Sequence, residues 1–406
     1  MNLSGNILVL TSWSFKDALV QTYTLPYLEM IRNILPASHR IILVTEEQES
    51  LALSPKEMAA INHSWNSKNM RLIGFPYRFF GARKMLSWVN HIVFLWKTLK
   101  KEQVSVIHAF GTPAGSIGYL LSRISGKPLV IDSYEPHAES MVENGSWKKG
   151  SAAFRLLFLM EKWQSKRATV LIGTTAGMEN YAFEKYGVKK DRFFVKPACV
   201  DLQAFAFRGK DPQLLQEMGL KEKVVAVYAG KMGGIYYKDE IFSFIKAAWI
   251  YWGDAFRFLM LSNSSRKEIG AVMQKVGLPD HVVISLYIPH AEMPAYLSLG
   301  DFGINPVIPV PSKRYCTSIK DGEYWAMGMP VVISPGISDD SDIIIKEGIG
   351  IIIDYKQNSG FHQQLEKLDS QLKEKEGIRE RIRKIAEQYR SYDITKKVYS
   401  EIYSWQ

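Results

Sequence analysis

The sequence predicts an α/β protein of two doubly wound, Rossmann-like domains, and three observations carry that expectation. Short apolar runs alternate with helical patterns along the whole chain, the alternation is interrupted once near Phe205–Leu220, and no linker or low-complexity tract separates the halves. Strand-helix alternation builds parallel sheets covered by helices on both faces. Two such series in 406 residues predict two domains. They are expected to face each other across a cleft, with a C-terminal helix crossing back to the first.

In the first series the strands expected are Ile7–Leu10, Arg40–Val44, Val104–His108, Leu129–Asp132, Val170–Gly173 and Arg192–Val195. The second series supplies Val224–Ala229, Arg257–Leu261, Val282–Ser285, Phe302–Ile304, Val331–Ile333 and Gly350–Ile353. Between them Arg208-Gly-Lys-Asp-Pro212 breaks the pattern. This gives a first domain over 1–207, a second over 208–385 and a closing helix over 386–406, whose Tyr399, Tyr403 and Trp405 can pack against the first domain. The tetrapeptide Pro-His-Ala-Glu recurs at 136–139 and 289–292, but its flanks differ and it marks no repeat.

Composition narrows the function classes. With 47% apolar residues the chain can fill ordinary cores, and no run approaches the ~18 apolar residues of a membrane span. Met1-Asn-Leu-Ser-Gly5 leads straight into a strand, so a cytoplasmic protein is expected. Cys199 and Cys316 lie far apart, and neither they nor the eight scattered His suggest a disulfide framework or a metal site. The net charge of +10 is almost all in residues 1–207, with 25 Lys/Arg against 16 Asp/Glu, while 208–406 holds 26 against 25.

Within that half, residues 66–101 carry eight cations (Lys68, Arg71, Arg78, Arg83, Lys84, Lys97, Lys100, Lys101) and no acid, interleaved with Phe75, Tyr77, Phe79, Phe80, Trp88, Phe94 and Trp96. Aromatic rings seat at a bilayer interface while Lys and Arg reach anionic headgroups, so a peripheral contact with the inner membrane face is one reading. A core helix that buries Trp88, Ile92, Leu95, Trp96 and Leu99 and wets its cations is the other. No nucleic-acid module surrounds the segment, and nucleic acid is not expected as a partner.

The most informative stretch is Ser318-Ile-Lys-Asp-Gly-Glu-Tyr-Trp-Ala-Met-Gly-Met-Pro-Val-Val332. Ser318 and Asp321 have the spacing of a capping box, Gly328 and Pro330 stop the helix, and a strand follows. A phosphate near Ser318 and Ile319 would meet free helix amides and the Lys320 ammonium. Glu323, three residues on from Lys320, could accept two adjacent ribose hydroxyls. In the first half, Asp132-Ser-Tyr-Glu-Pro-His-Ala-Glu139 follows a strand and places Glu135 and His137 on a strand-end loop, where ligands of open sheets bind.

Ser318–Val332 resembles the signature of retaining nucleotide-sugar glycosyltransferases of the GT-B fold, Pro-x-Lys-x-x-Glu-x-x-Ala-x-Gly-x-Pro-Val-Val. Ile107–Gly118, Glu161–Ala168, Gly187-Val188 and Pro197–Phe205 extend the resemblance. It implies a metal-independent enzyme, without cofactor, that moves a sugar from a nucleotide-diphosphate donor to a glycan or lipid-linked acceptor in cell-surface polysaccharide or glycolipid synthesis. In that family a basic residue after the strand-end Gly, here Lys231, and a later Lys, here Lys238, bind the diphosphate. Glu323 matches its ribose-binding carboxylate, and the loop of Glu135 and His137 supplies a group that contacts the sugar or assists at the reacting centre, although the family's His aligns nearer Tyr134. Two departures stand out: Tyr315 occupies the place of a second, sugar-binding Glu, and Thr11–Asp17 replaces a Gly-rich loop, leaving Ser12, Ser14 and Lys16 as possible contacts. A sugar-nucleotide 2-epimerase of the same architecture and a non-enzymatic basic binding protein are the alternatives.

Overall fold

The computed structural model describes residues 5–78 and 82–403, without the side chains of 82–86, 88 and 358. Contacts divide the chain into two units: one up to Pro197 and again from Asp393, the other Ala198–Tyr392. The sequence placed its boundaries at 207 and 385. Val200 and Phe205 are buried in the core of the second unit, and the helix Glu376–Arg390 runs unbroken through 385.

The first unit holds seven strands, β1 (Asn6–Thr11), β2 (Ile41–Glu47), β3 (Met70–Pro76), β4 (Val104–Phe110), β5 (Leu129–Tyr134), β6 (Val170–Gly173) and β7 (Phe193–Val195). All pair in parallel, in the order β3-β2-β1-β4-β5-β6-β7. β2 and β4 are buried at every position, as a sheet covered on both faces requires. β3 is the strand that sequence reading missed. It forms an edge, buries only Met70 and Leu72 fully, and carries Arg71, which reaches Glu102 Oε1 at 2.5 Å. An edge strand of this kind lacks the continuous apolar run that marks a central one.

The second unit holds six parallel strands, β8 (Val224–Ala229), β9 (Phe256–Leu261), β10 (Val283–Leu286), β11 (Phe302–Asn305), β12 (Val331–Ile333) and β13 (Gly350–Ile352), in the order β10-β9-β8-β11-β12-β13. Strand order therefore reverses between β1 and β4 in one unit and between β8 and β11 in the other. Such switch points leave a crevice at the strands' carboxyl ends.

A buried ionic cluster fastens the C-terminal helix Tyr392–Tyr403 within the first unit. Lys196 Nζ lies 3.1 Å from Asp132 Oδ1, donates to Tyr23 Oη at 3.0 Å and stands 3.9 Å above the Tyr27 ring. Tyr399 donates to Asp132 Oδ2 at 2.6 Å, and His108 Nδ1 lies 2.5 Å from Tyr403 Oη. Thus Tyr399 and Tyr403 do pack on the first unit, while Trp405 lies outside the described residues. Burial raises the Asp132 pKa, but Lys196, His108 and Tyr399 outweigh it and hold it down at about 2. Because Asp132 lies two residues before the end of β5, the cluster also holds the strand end from which the loop to His137 leaves.

Removing one partner of a buried pair leaves the other charge uncompensated. Lys196→Met should therefore lower unfolding free energy by ~3–5 kcal/mol in urea titration. Since the Asp132 pKa is depressed from 3.8 to about 2, its stabilisation is present above pH 3.8 and lost as pH falls towards 2. Asp132→Asn should flatten that acid limb, and an unchanged limb would contradict this assignment.

Candidate functional site

In the second unit β8 ends at Ala229 and is followed by Gly230, whose φ is +137°. A Cβ there would lie 2.7 Å from Lys320 Cε and 3.1 Å from its Nζ. Only glycine adopts this conformation readily and leaves room for the ammonium beside the backbone. Lys320 Nζ donates to Tyr236 Oη at 2.8 Å and lies 4.0 Å from the centre of that ring. Tyr228 Oη donates to the Lys231 carbonyl at 2.5 Å. The loop is fastened to the segment after β11, by Tyr237 N–H to Pro306 O at 2.8 Å and Ile308 N–H to Ile235 O at 2.9 Å. Lys231 and Lys238 line one cavity of about 270 Å³ with Asn263, Ser264 and Glu268. Lys238 Nζ lies 3.8 Å from Glu268 Oε1, and both side chains remain about half exposed.

The helix Ile319–Ala326 starts where the sequence placed it, and Gly328, at φ +68°, follows its end. The expected capping box does not form. Ser318 is the extended N-cap but its side chain makes no cap hydrogen bond, and Asp321 turns inward, fully buried, to accept from Asn305 Nδ2 at 2.8 Å. The spacing was right, but tertiary burial won the carboxylate. The first-turn amides are thus left without a side-chain cap, which suits an anion from outside. Lys320 turns towards Gly230 and Tyr236, whereas Glu323, 8% exposed, turns towards His290, whose Nε2 is 3.6 Å from Glu323 Oε1. The hydrogen bond to Glu323 raises the His290 pKa, against the effect of burial. Tyr315 closes the short helical turn Pro311–Tyr315 and is half-buried.

In the first unit, Glu135 and His137 adjoin each other, with His137 Nδ1 3.5 Å from Glu135 Oε1. His137 lines a cavity of about 260 Å³, with Ser12 and Trp13 after β1 and Phe110 ending β4. The cavity therefore sits at this unit's own switch point. Beneath it Glu161 is fully buried and accepts from Ala138 N–H at 2.8 Å and Tyr186 Oη at 2.9 Å. Burial pushes its carboxyl up to about 7, although both donors pull it down. Of the other loop residues, Ser14 is buried and accepts from Gln48 N–H at 2.8 Å, and Lys16 is paired with Glu57 at 2.7 Å.

The structure brings Lys231 and Lys238 onto one cavity wall, Lys320 beside the residue preceding Lys231, and Glu135 beside His137. His290 and Tyr236 escaped sequence reading, and Glu161 was noted only as the first residue of a segment that extends the resemblance, with no role given to it. Of the first two only His290 carried a signal, in the second Pro-His-Ala-Glu. Treated as a failed repeat, that tetrapeptide gave no hint that His290 would meet Glu323.

Residues 27–199 match the family model described as a glycosyl transferase 4-like domain. The whole chain superposes on sucrose-phosphate synthase from Thermosynechococcus elongatus, with TM-score 0.73, 14% identity and 98% of each chain covered. HepE of Anabaena in complex with UDP gives 0.71 and 13%, covering 99% of this chain and 100% of that one. WaaG, a glycosyltransferase involved in lipopolysaccharide biosynthesis, gives 0.69 and 14%, covering 98% and 100%. No curated protein sequence matches the chain. The fold is GT-B, as the sequence resemblance implied.

The Glu323 contact has a spectroscopic consequence. In proton NMR the His290 ring should titrate above the usual histidine value, and in Glu323→Gln it should titrate lower. Equal midpoints in the two proteins would remove the pairing.

Proposed function

We propose that the chain is a retaining glycosyltransferase that moves a sugar from a nucleoside-diphosphate sugar to a hydroxyl of a glycan or lipid-linked acceptor, in cell-surface polysaccharide or glycolipid synthesis. One observation carries the reading: a glycine at the end of β8 admits the ammonium of Lys320 from an uncapped helix that also bears Glu323. Cation, free amides and a nearly buried carboxylate at a switch point are what a nucleotide diphosphate needs. Complexes of HepE with UDP and with UDP-glucose, of the same fold, support it.

In this reading Ser318, Ile319 and Lys320 hold the diphosphate, and Glu323 takes the ribose hydroxyls. Lys231 and Lys238 complete the cationic side. As the sugar–phosphate bond breaks, negative charge collects on the departing diphosphate, and the three lysines and the helix amides stabilise it without a metal. The sugar passes through an oxocarbenium-like state. Retention follows if the acceptor hydroxyl attacks from the leaving-group side and the donor phosphate helps take its proton. Glu135 and His137 act on the acceptor side, where a His–Glu pair can orient a hydroxyl or relay its proton.

A peripheral membrane location accompanies this reading. On the helix Ala82–Lys101, Leu95 and Leu99 are buried as a core helix requires, yet Val89, Val93 and Phe94 are 59%, 47% and 47% exposed, next to the exposed Lys97, Lys100 and Lys101. An outward face of apolar residues followed by cations suits an anionic bilayer better than water. Phe79 and Phe80, and the side chains of Arg83, Lys84 and Trp88, lie outside the described residues. Among the described residues no helix is long and apolar enough to cross a membrane. The proposed location is the cytoplasmic face.

Glu323→Ala should weaken UDP binding at least tenfold in calorimetry, about 1.4 kcal/mol or more, while near wild-type affinity would refute the donor assignment. Val93→Asp with Phe94→Asp should abolish sedimentation with vesicles of anionic phospholipid. Undiminished sedimentation would remove the membrane proposal and leave the catalytic one standing.

A further inference from the structure

The cavity beside His137 has a character that the transfer reaction alone does not explain. One wall comes from the helix Ala152–Arg167, through Leu156, Leu157 and Met160, and another from Ile117 of the helix Thr112–Ser125. A strap closes over it. The helix His137–Glu143 ends, the chain turns at Gly145 with φ +79°, and Trp147 N–H bonds back to Met141 O at 2.9 Å, so that Met141 and Trp147 both line the space. Polar groups come from other elements, the strand ends: Ser12 after β1, Glu46 and Gln48 at the end of β2, Tyr77 and Arg78 after β3, and His137 after β5. Leu156 and Leu157 are only half-buried. The fold leaves them facing open space rather than filling a core.

Such a lining discriminates between acceptors. A glycan buried there would face Leu, Ile and Met side chains that neither donate nor accept hydrogen bonds, and its hydroxyls would be desolvated without compensation. Aromatic rings alone could stack on a sugar, but they form a minority of this wall. A hydrocarbon chain needs no partner and gains from leaving water. Polar groups confined to a few positions are what an apolar ligand with one polar end requires.

We infer that this cavity takes an apolar group of the acceptor, an alkyl or isoprenyl chain, with its polar end at His137, Gln48 and Arg78. The inference rests on the glycosyltransferase reading above and selects the lipid-linked class of acceptor over the bare glycan. Two sources share the chemistry, a phosphate-linked isoprenoid carrier and a glycolipid with an alkyl chain.

The test is calorimetry on the full chain with farnesyl phosphate, octyl β-D-glucopyranoside below its micelle concentration, and maltotriose, each sample also titrated with UDP. The two apolar probes should bind and maltotriose should not. Leu157→Asn, a polar near-isostere, and Trp147→Ala in the strap should each weaken the apolar probes roughly tenfold. Leu159→Asn, on the exposed side of the same helix, should leave them unchanged and controls for folding. Tighter binding of farnesyl phosphate identifies the isoprenoid carrier, and tighter binding of the glucoside identifies a glycolipid. The inference is overturned if no apolar probe binds, if maltotriose binds equally well, or if Leu157→Asn and Trp147→Ala both bind as wild type. Failure of UDP to bind while the apolar probes still depend on Leu157 would instead reject the donor reading and keep the cavity assignment.

Discussion

The candidate donor site depends on a buried cluster of Arg390, Asp340 and Asp321. Arg390 is 2% exposed, pairs through Nη2 with Asp340 Oδ1, and stacks 5.2 Å from the Trp325 ring. Burial and the Asp340 carboxylate push Asp321 well above the ordinary carboxylate range, against Arg390 and Asn305. Two acids under one guanidinium are held most easily with Asp321 as the neutral acid. The cluster joins the helix Ile319–Ala326 to the helices Asp340–Glu347 and Glu376–Arg390, while Asn305 ties it to the end of β11. The start of the helix, with Lys320, is thereby aimed at Gly230. Gly322 has a place in this packing, since a Cβ there would meet Val200 Cγ1 at 2.9 Å.

The first unit solves the same problem in the same way. Asp132 and Lys196 are buried near the end of β5, where the strand is irregular at Ser133, at φ +51°, and the loop to Glu135 and His137 follows Tyr134. Glu161 then holds the next turn by the Ala138 amide. In both units buried polar groups under the strand ends set the position of a surface loop, which hydrophobic packing alone would orient less strictly. Buried pairs contribute little net stability, and a role in fixing geometry accounts for them better here.

Legibility in the sequence followed range. Strands β6, β8 and β12 fall at the expected residues, and the remaining strands, apart from β3, lie within three residues of expectation at each end. Their signal is a local apolar run, which survives folding unchanged. The helix stop at Gly328 was legible for the same reason. By contrast Ser318 and Asp321 show a local rule overridden, because a carboxylate that could cap its own helix is drawn to a buried amide sixteen residues away. Lys196 with Asp132, Arg390 with Asp340, and His290 with Glu323 are separated by dozens of residues. No spacing announces such partners, so the anchors of each site emerge only from the fold. The resemblance to known transferases located Glu323 and Lys231 by motif, but not the tyrosines and histidine that surround them.

In the proposed reading, the cations and uncapped helix amides of the second unit serve a charged, water-soluble donor, and the apolar wall of the first unit serves an amphiphilic acceptor. The central claim concerns the first of these and is tested most directly by a crystal structure of the protein with UDP. The ribose hydroxyls should lie within hydrogen-bond distance of the Glu323 carboxylate, and the diphosphate against the amides after Ser318 and the Lys320 ammonium. A nucleotide bound elsewhere, or one whose ribose points away from Glu323, would contradict the account.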